Sequence, residues 1–291
     1  MSMSNDLAGD IEFLGLERLR GTGYFEFTVT PQLSRMDGRL YGGTAIAVSV
    51  AVAELVSERS ALWMTTQFVS TVETGTPVGV EAEILAPGKR TNQVRVTGKS
   101  PTGAVVFASL GATGHHRDSG LNGVFETRPT VTSPEDSTGW TSPFAGMRKA
   151  AGEAVGTDLG FNRVLELRGA SILDHPEPGP GRTCVWVRRR DGAAVTPAMA
   201  AYMADMVPMS VGRALGVLAG GTSLDNSIRI GEFVDTEWVL LDLRPHLAAG
   251  DYGHGTAHVW SVDGQLMATA SQTSTMMRFD PDDLPWNRTT G

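Results

Sequence analysis

The sequence has almost no cysteine. Cys184 is the only one in 291 residues, which excludes an internal disulfide framework and any Cys-based zinc site. A lone thiol fits a reducing, cytoplasmic setting. The chain has no apolar run of about 18 residues, so no membrane insertion is expected. Its first residues, MSMSNDLAGDIEF, lack the basic start and apolar core of a signal peptide. Positive charge is scarce: 24 Lys and Arg stand against 32 Asp and Glu, a formal net charge of −8. That balance argues against nucleic acid as a partner, although a local basic patch suffices for a small anion.

Several catalytic signatures are also missing. There is no G-x-S-x-G elbow, so a standard serine hydrolase is not expected. Pro87-Gly88-Lys89-Arg90 and Thr97-Gly98-Lys99-Ser100 lack the partner glycine or the Ser/Thr of a phosphate loop. No G-x-G-x-x-G opens a helix after a strand. His115-His116 and His254…His258 have no carboxylate at zinc-site spacing and read as surface or strand-end histidines. No metal and no cofactor are expected.

What is present reads as two similar halves. Ile11–Leu16 and Tyr24–Val29 look like strands. Gly42-Gly43-Thr44 leads into AIAVSVAVAELVSE, an apolar, Pro-free helix from about Thr44 to Glu58. Strands follow at Trp63–Ser70, Pro77–Leu85, Asn92–Lys99 and Ala104–Thr113. Residues 118–145 are rich in Pro, Ser, Thr and Gly and read as a surface connection. The second half then has strands at Asn162–Arg168 and Thr183–Arg189. A helix begins at Pro197, with Thr196 as N-cap, and runs through AMAAYMADMV. A loop at Gly216–Thr222 precedes strands at Asn226–Ile230, Glu237–Leu243, Gly255–Trp260 and Leu266–Thr273. Aligning the turns at Gly103 and Gly264 sets Gly111 opposite Gln272, and VAVAEL against AYMADM sets Glu54 opposite Asp205.

Three residues stand out. Asp205 lies in an apolar helix, where burial would raise its pKa and suit it to activate water; a solvated acid on one exposed face is the competing reading. Gln272 lies among small residues (ATASQTST), where its amide can hold a water or make a cross-strand bond. Thr222–Ser227 offers hydroxyls that orient water or cap a turn, and the turn is the simpler reading. Arg39, Lys89 and Arg90 are candidate phosphate contacts, with solvated turn residues as the simpler reading. The Trp, Phe and Met side chains read as core first, with Met203, Met206 and Met209 able to soften an acyl channel as the second reading.

Taken in order, these strings resemble the acyl-CoA thioesterase II type family. They are Leu40-Tyr41-Gly42-Gly43, Phe68-Val69, Gly75-Thr76-Pro77-Val78, Gly88-Lys89-Arg90 and Ala201–Pro208. Then come Ser223-Leu224-Asp225-Asn226-Ser227, Glu237–Leu240, Asp263–Ala268 and Ser271-Gln272. The resemblance spans about residues 11 to 279. It implies an α+β tandem (double) hotdog, two antiparallel sheets each wrapped around a long central helix, the two units pairing so that their sheets run together with the active site between them. The expected units are residues 1–118 and 159–291, with 119–158 connecting them. It implies hydrolysis of an acyl-CoA to free fatty acid and CoA, by direct attack of a water positioned by Asp205, Ser223 and Gln272. Tyr41, Gly42, Gly43, Lys89 and Arg90 would bind substrate, the glycine turn offering a backbone N–H to the thioester carbonyl. A homodimer or higher homo-oligomer is implied as well. Two departures are visible: Thr273 stands where the family has an acid, and Asn226 where a His is common. A dehydratase would need a His beside an acid, and Asp174-His175 sits in a Pro-rich turn. A non-catalytic acyl-CoA or acyl-carrier binding module is the alternative reading; it would not require the Asp205, Ser223 and Gln272 set.

Overall fold

Alternating apolar residues along the strands and one apolar helix per half build a single antiparallel sheet packed against helices. The computed structural model describes residues 3–21, 23–115, 120–140, 160–173 and 181–279. Asp174-His175, and residues 119 and 141–158 of the 119–158 connection, lie outside them. The first half runs α1 (Met3–Leu14), β1 (Glu17–Arg20), β2 (Tyr24–Thr28), α2 (Gly42–Ser57), β3 (Ser60–Phe68), β4 (Pro77–Ala86), β5 (Thr91–Lys99) and β6 (Val105–Gly114). The second runs β7 (Thr138–Gly139), β8 (Leu165–Ala170), β9 (Thr183–Arg189), α3 (Pro197–Ala204), α4 (Val207–Ala214), β10 (Ala219–Ile230), β11 (Val239–Ala249), β12 (Tyr252–Ser261) and β13 (Leu266–Arg278). All strands join one 13-stranded sheet, ordered β1-β2-β4-β5-β6-β3-β10-β13-β12-β11-β9-β8-β7. The expected two sheets are therefore continuous. They meet where β3 pairs with β10, and there Thr65 and Ser227 share a hydroxyl hydrogen bond of 2.7 Å.

α2 is buried from Gly43 to Ala53, and its small side chains let it lie close against α3. A Cβ on Gly43 would stand 2.3 Å from the Tyr202 carbonyl oxygen, so the two helices meet there at backbone contact. The N-terminal segment corrects the sequence reading. Ile11–Leu14 is the end of a helix rather than the start of a strand, because Leu7, Ile11 and Leu14 recur at helical spacing and face the core. Its buried Asp10 accepts a 2.9 Å hydrogen bond from Thr196 Oγ1, whose oxygen in turn caps α3 at Met199 N. Residues 160–163 are likewise a 3₁₀ turn ahead of β8 rather than strand, and β10 begins at Ala219, inside the expected loop.

The two halves share three β-bulges. Leu85 and His246 are the extra residues between β4–β5 and β11–β12. Val106 and Met267 hold that place between β5–β6 and β12–β13, and Leu62 and Leu224 between β3–β6 and β10–β13. Bulges in matched positions fix a common register for the halves. It sets Gly111 opposite Gln272, as the turn spacing did, and adds Ala61 opposite Ser223 and Met64 opposite Asn226.

Candidate active site

The second half departs from the first where its helix breaks. The expected helix through Val207 stops at Ala204, and a new one starts at Val207. Pro208 explains the break, because it has no N–H to donate and its ring would strike the carbonyl one turn back. The break leaves Asp205 at the junction and frees the Val207 N–H. Gln272 Oε1 accepts that N–H at 3.2 Å. Once its carbonyl is committed, Gln272 must turn its NH₂ the other way. There Nε2 donates to Asp205 Oδ1 in a very short contact, and to Ser223 Oγ at 2.6 Å.

The β10–β13 ladder brings the remaining partners. Asn226 is directly opposite Gln272, and Ser223 opposite Ser274. Ser223 and Asn226 are three residues apart, a spacing that puts side chains on opposite faces of a regular strand. The bulge at Leu224 absorbs one residue and returns both to the Asp205 face. Asn226 Nδ2 then donates to Asp205 Oδ1 at 3.0 Å.

The first half closes the site. α2 has no side-chain N-cap of its own, and the Asp205 carboxylate takes that role by accepting the Gly43 N–H. A Cβ on Gly42 would come within 2.6 Å of Asp205 Oδ2, so only glycine lets α2 start this close. Tyr41 Oη donates to the Asp205 carbonyl oxygen at 3.1 Å, and burial pushes its own pKa well above the usual phenol value.

Asp205 is 7% exposed. Burial raises its pKa to about 7, against the lowering pull of Asn226, the Gly43 N–H, the Arg35 charge and Ser223. It is a carboxylate poised to exchange a proton at neutral pH. It also lines a cavity of about 880 Å³. Tyr41, Gly42, Phe68, Phe107, Trp140 and Phe161 form apolar wall, and Arg35, Arg39 and Arg213 supply positive charge. Among the described residues no group of His, Cys, Asp or Glu gathers as a metal site.

This arrangement sits in a chain that matches two family models. Residues 126–276 match the acyl-CoA thioesterase C-terminal domain, and residues 30–113 the N-terminal domain. The first match alone spans more than half of the chain. The chain belongs to the acyl-CoA thioesterase family. It is a thioester hydrolase by that membership, as its sequence strings implied. Solved structures agree in fold. A candidate thioesterase from Novosphingobium aromaticivorans is 29% identical, with a TM-score of 0.78 over 89% of this chain and 97% of that one. A hotdog-fold protein of unknown function from Alicyclobacillus acidocaldarius is 19% identical, with a TM-score of 0.75 over 94% and 99%. An acyl-CoA thioesterase II from Mycobacterium marinum is 18% identical, with a TM-score of 0.72 over 93% and 99%. No curated protein sequence matches the chain significantly.

The thioesterase thus brings Asp205, Ser223, Gln272, Tyr41, Gly42 and Gly43 together. Lys89 and Arg90 lie elsewhere, exposed on the turn between β4 and β5 and outside the cavity lining. Arg35, Arg213 and Asn226 are side chains that sequence reading did not place here. Asn226 carried a signal, as a departure from the family string. Arg35 carried none, since it lies in the loop before α2 and reaches Thr222 Oγ1 only at 3.5 Å across the fold.

Proposed function

We propose that this thioesterase hydrolyses acyl-CoA by direct attack of one water, with Asp205 as base. The single observation that carries the reading is the buried Asp205 carboxylate held by Gln272 and Asn226 on the cavity wall. The attacking water sits between Asp205, Ser223 and Gln272. Both hydrogens of Gln272 Nε2 are engaged with Asp205 and Ser223, so the water replaces the Ser223 contact and the grip on Asp205 is kept. Asp205 takes the proton as the water oxygen bonds to the thioester carbon. The carbonyl oxygen gathers negative charge near the first N–H groups of α2, and Gly42 N–H is the donor we assign to it. The C–S bond then breaks, and the proton on Asp205 neutralises the departing thiolate. No covalent intermediate forms.

The same reading treats each half as a hotdog unit with its sheet curled about its helix, bounded near residues 118 and 159. The aromatic wall receives the acyl chain. Arg35, Arg39 and Arg213 suit CoA phosphates better than Lys89 and Arg90 do, because they line the same cavity. A cytoplasmic setting and a homo-oligomer belong to this reading too. Thiol release from a panel of acyl-CoAs, short to long and straight to branched, tests it. Turnover should collapse in D205A while acyl-CoA still binds. Binding without thiol release by the native chain would instead favour a non-catalytic module.

A further inference from the structure

We propose that Asn226 is a positioning residue of this site, holding Asp205 by one oxygen so that the other serves the water. The inference rests on the reading of Asp205 as the base. Asn226 is 1% exposed, and its Nδ2 donates to Asp205 Oδ1 at 3.0 Å. It faces Gln272 directly across the β10–β13 ladder, so two amides grip the same carboxylate oxygen. Oδ2 is left toward Gly42 and Phe68, both of which line the cavity. Two amides together with the Gly43 N–H keep the carboxylate from rotating freely, and an N–H donor favours its ionised form.

Two further observations separate this role from simple packing. The first is that Asn226 Oδ1 is buried without a hydrogen-bond partner. An unpaired buried carbonyl is costly, and an apolar side chain would remove that cost. The second is that the fold accepts an apolar side chain at the matching place. The three shared bulges set Met64 opposite Asn226, Ala61 opposite Ser223 and Gly111 opposite Gln272. In the first half, Met64 Cε and Sδ stand 2.8 and 2.9 Å from where a Cβ on Gly111 would be. Among the described residues, the Glu54 carboxylate there accepts only a backbone N–H, from Ala61 at 2.8 Å. So the amide at this place goes with the hydroxyl and the glutamine: all three are present beside Asp205 and all three are absent beside Glu54.

The test is kinetic. N226A removes the donor, and N226D keeps the shape but sets a second carboxylate against Asp205. Both are read beside the native chain and D205A, with thermal unfolding run in parallel. N226A should lower kcat about tenfold, with KM within about twofold, because one charge-assisted hydrogen bond is lost from the base. The acid limb of the pH–rate profile should move to higher pH in N226A and further in N226D. Native kcat and an unmoved limb in both variants would overturn the proposal. So would a fall in kcat that tracks unfolding while the limb stays in place. Should N226A not fold, the isosteric N226D decides by its limb alone. If D205A keeps native turnover, the reading of the base itself fails; if D205A is dead and the Asn226 limbs do not move, only the positioning role fails.

Discussion

In the proposed mechanism Asp205 carries the chemistry, and its proton sets the pH dependence. Burial raises its pKa to about 7, so the carboxylate form that can accept a proton from water predominates only above that pH. The expected profile of kcat/KM for thiol release therefore rises with pH to a plateau, with its midpoint near 7, falling about tenfold per unit on the acid side. A profile flat from pH 5 to 8 would contradict this. The companions of Asp205 were legible to different degrees. Ser223 and Gln272 came from an ordered set of short strings and meet Asp205 in the fold. Asn226 was visible only as a departure from those strings, because its contact depends on a cross-strand partner 46 positions away at Gln272. Arg35 could not be read at all, since its approach to Asp205 comes from loop packing that no local pattern encodes.

At the scale of elements, the break between α3 and α4 and the bulge at Leu224 make the site from otherwise regular pieces. The sequence carries the cause of the break in Pro208, yet the apolar run through AMAAYMADMV reads as one helix because hydrophobic periodicity passes over a single interruption. Its consequence is the Val207 N–H offered to Gln272 Oε1. P208A should let the helix continue and draw that N–H into the helical ladder. Thiol release should then fall about tenfold while the melting temperature holds or rises, because a helix constraint is relieved as the glutamine loses its anchor. A variant with unchanged kcat would show that the break has no part in setting the amide. The bulges were not legible. An extra residue in a strand leaves no composition signal, and only pairing across the sheet reveals it.

The whole molecule is a repeat whose halves have diverged in what they hold. Most of the element order was read from the sequence, but the end of α1 reads as strand, β1 and β7 were not read, and α3 and α4 read as one helix. That the two sheets run together was implied by the family resemblance alone; no periodicity shows it, since the β3–β10 pairing joins residues far apart in sequence. That joining places the start of α2 against Asp205, so each half contributes to one site. G42A tests the dependence between halves. Its methyl group would meet Asp205 Oδ2 at 2.6 Å and Phe68 Cζ at 3.0 Å, and the carboxylate would have to move. Activity should drop by about a hundredfold while unfolding changes little, since alanine is itself favoured over glycine in a helix. Native activity in G42A would mean that α2 does not shape the site.

The most direct measurement of the account is a single turnover in heavy-oxygen water, with enzyme in excess over acyl-CoA, reading both the acid released and the mass of the quenched chain. Direct water attack predicts labelled acid in the first turnover and a chain of unchanged mass throughout. Unlabelled acid with label left in the protein, or a chain carrying the acyl group, would contradict it.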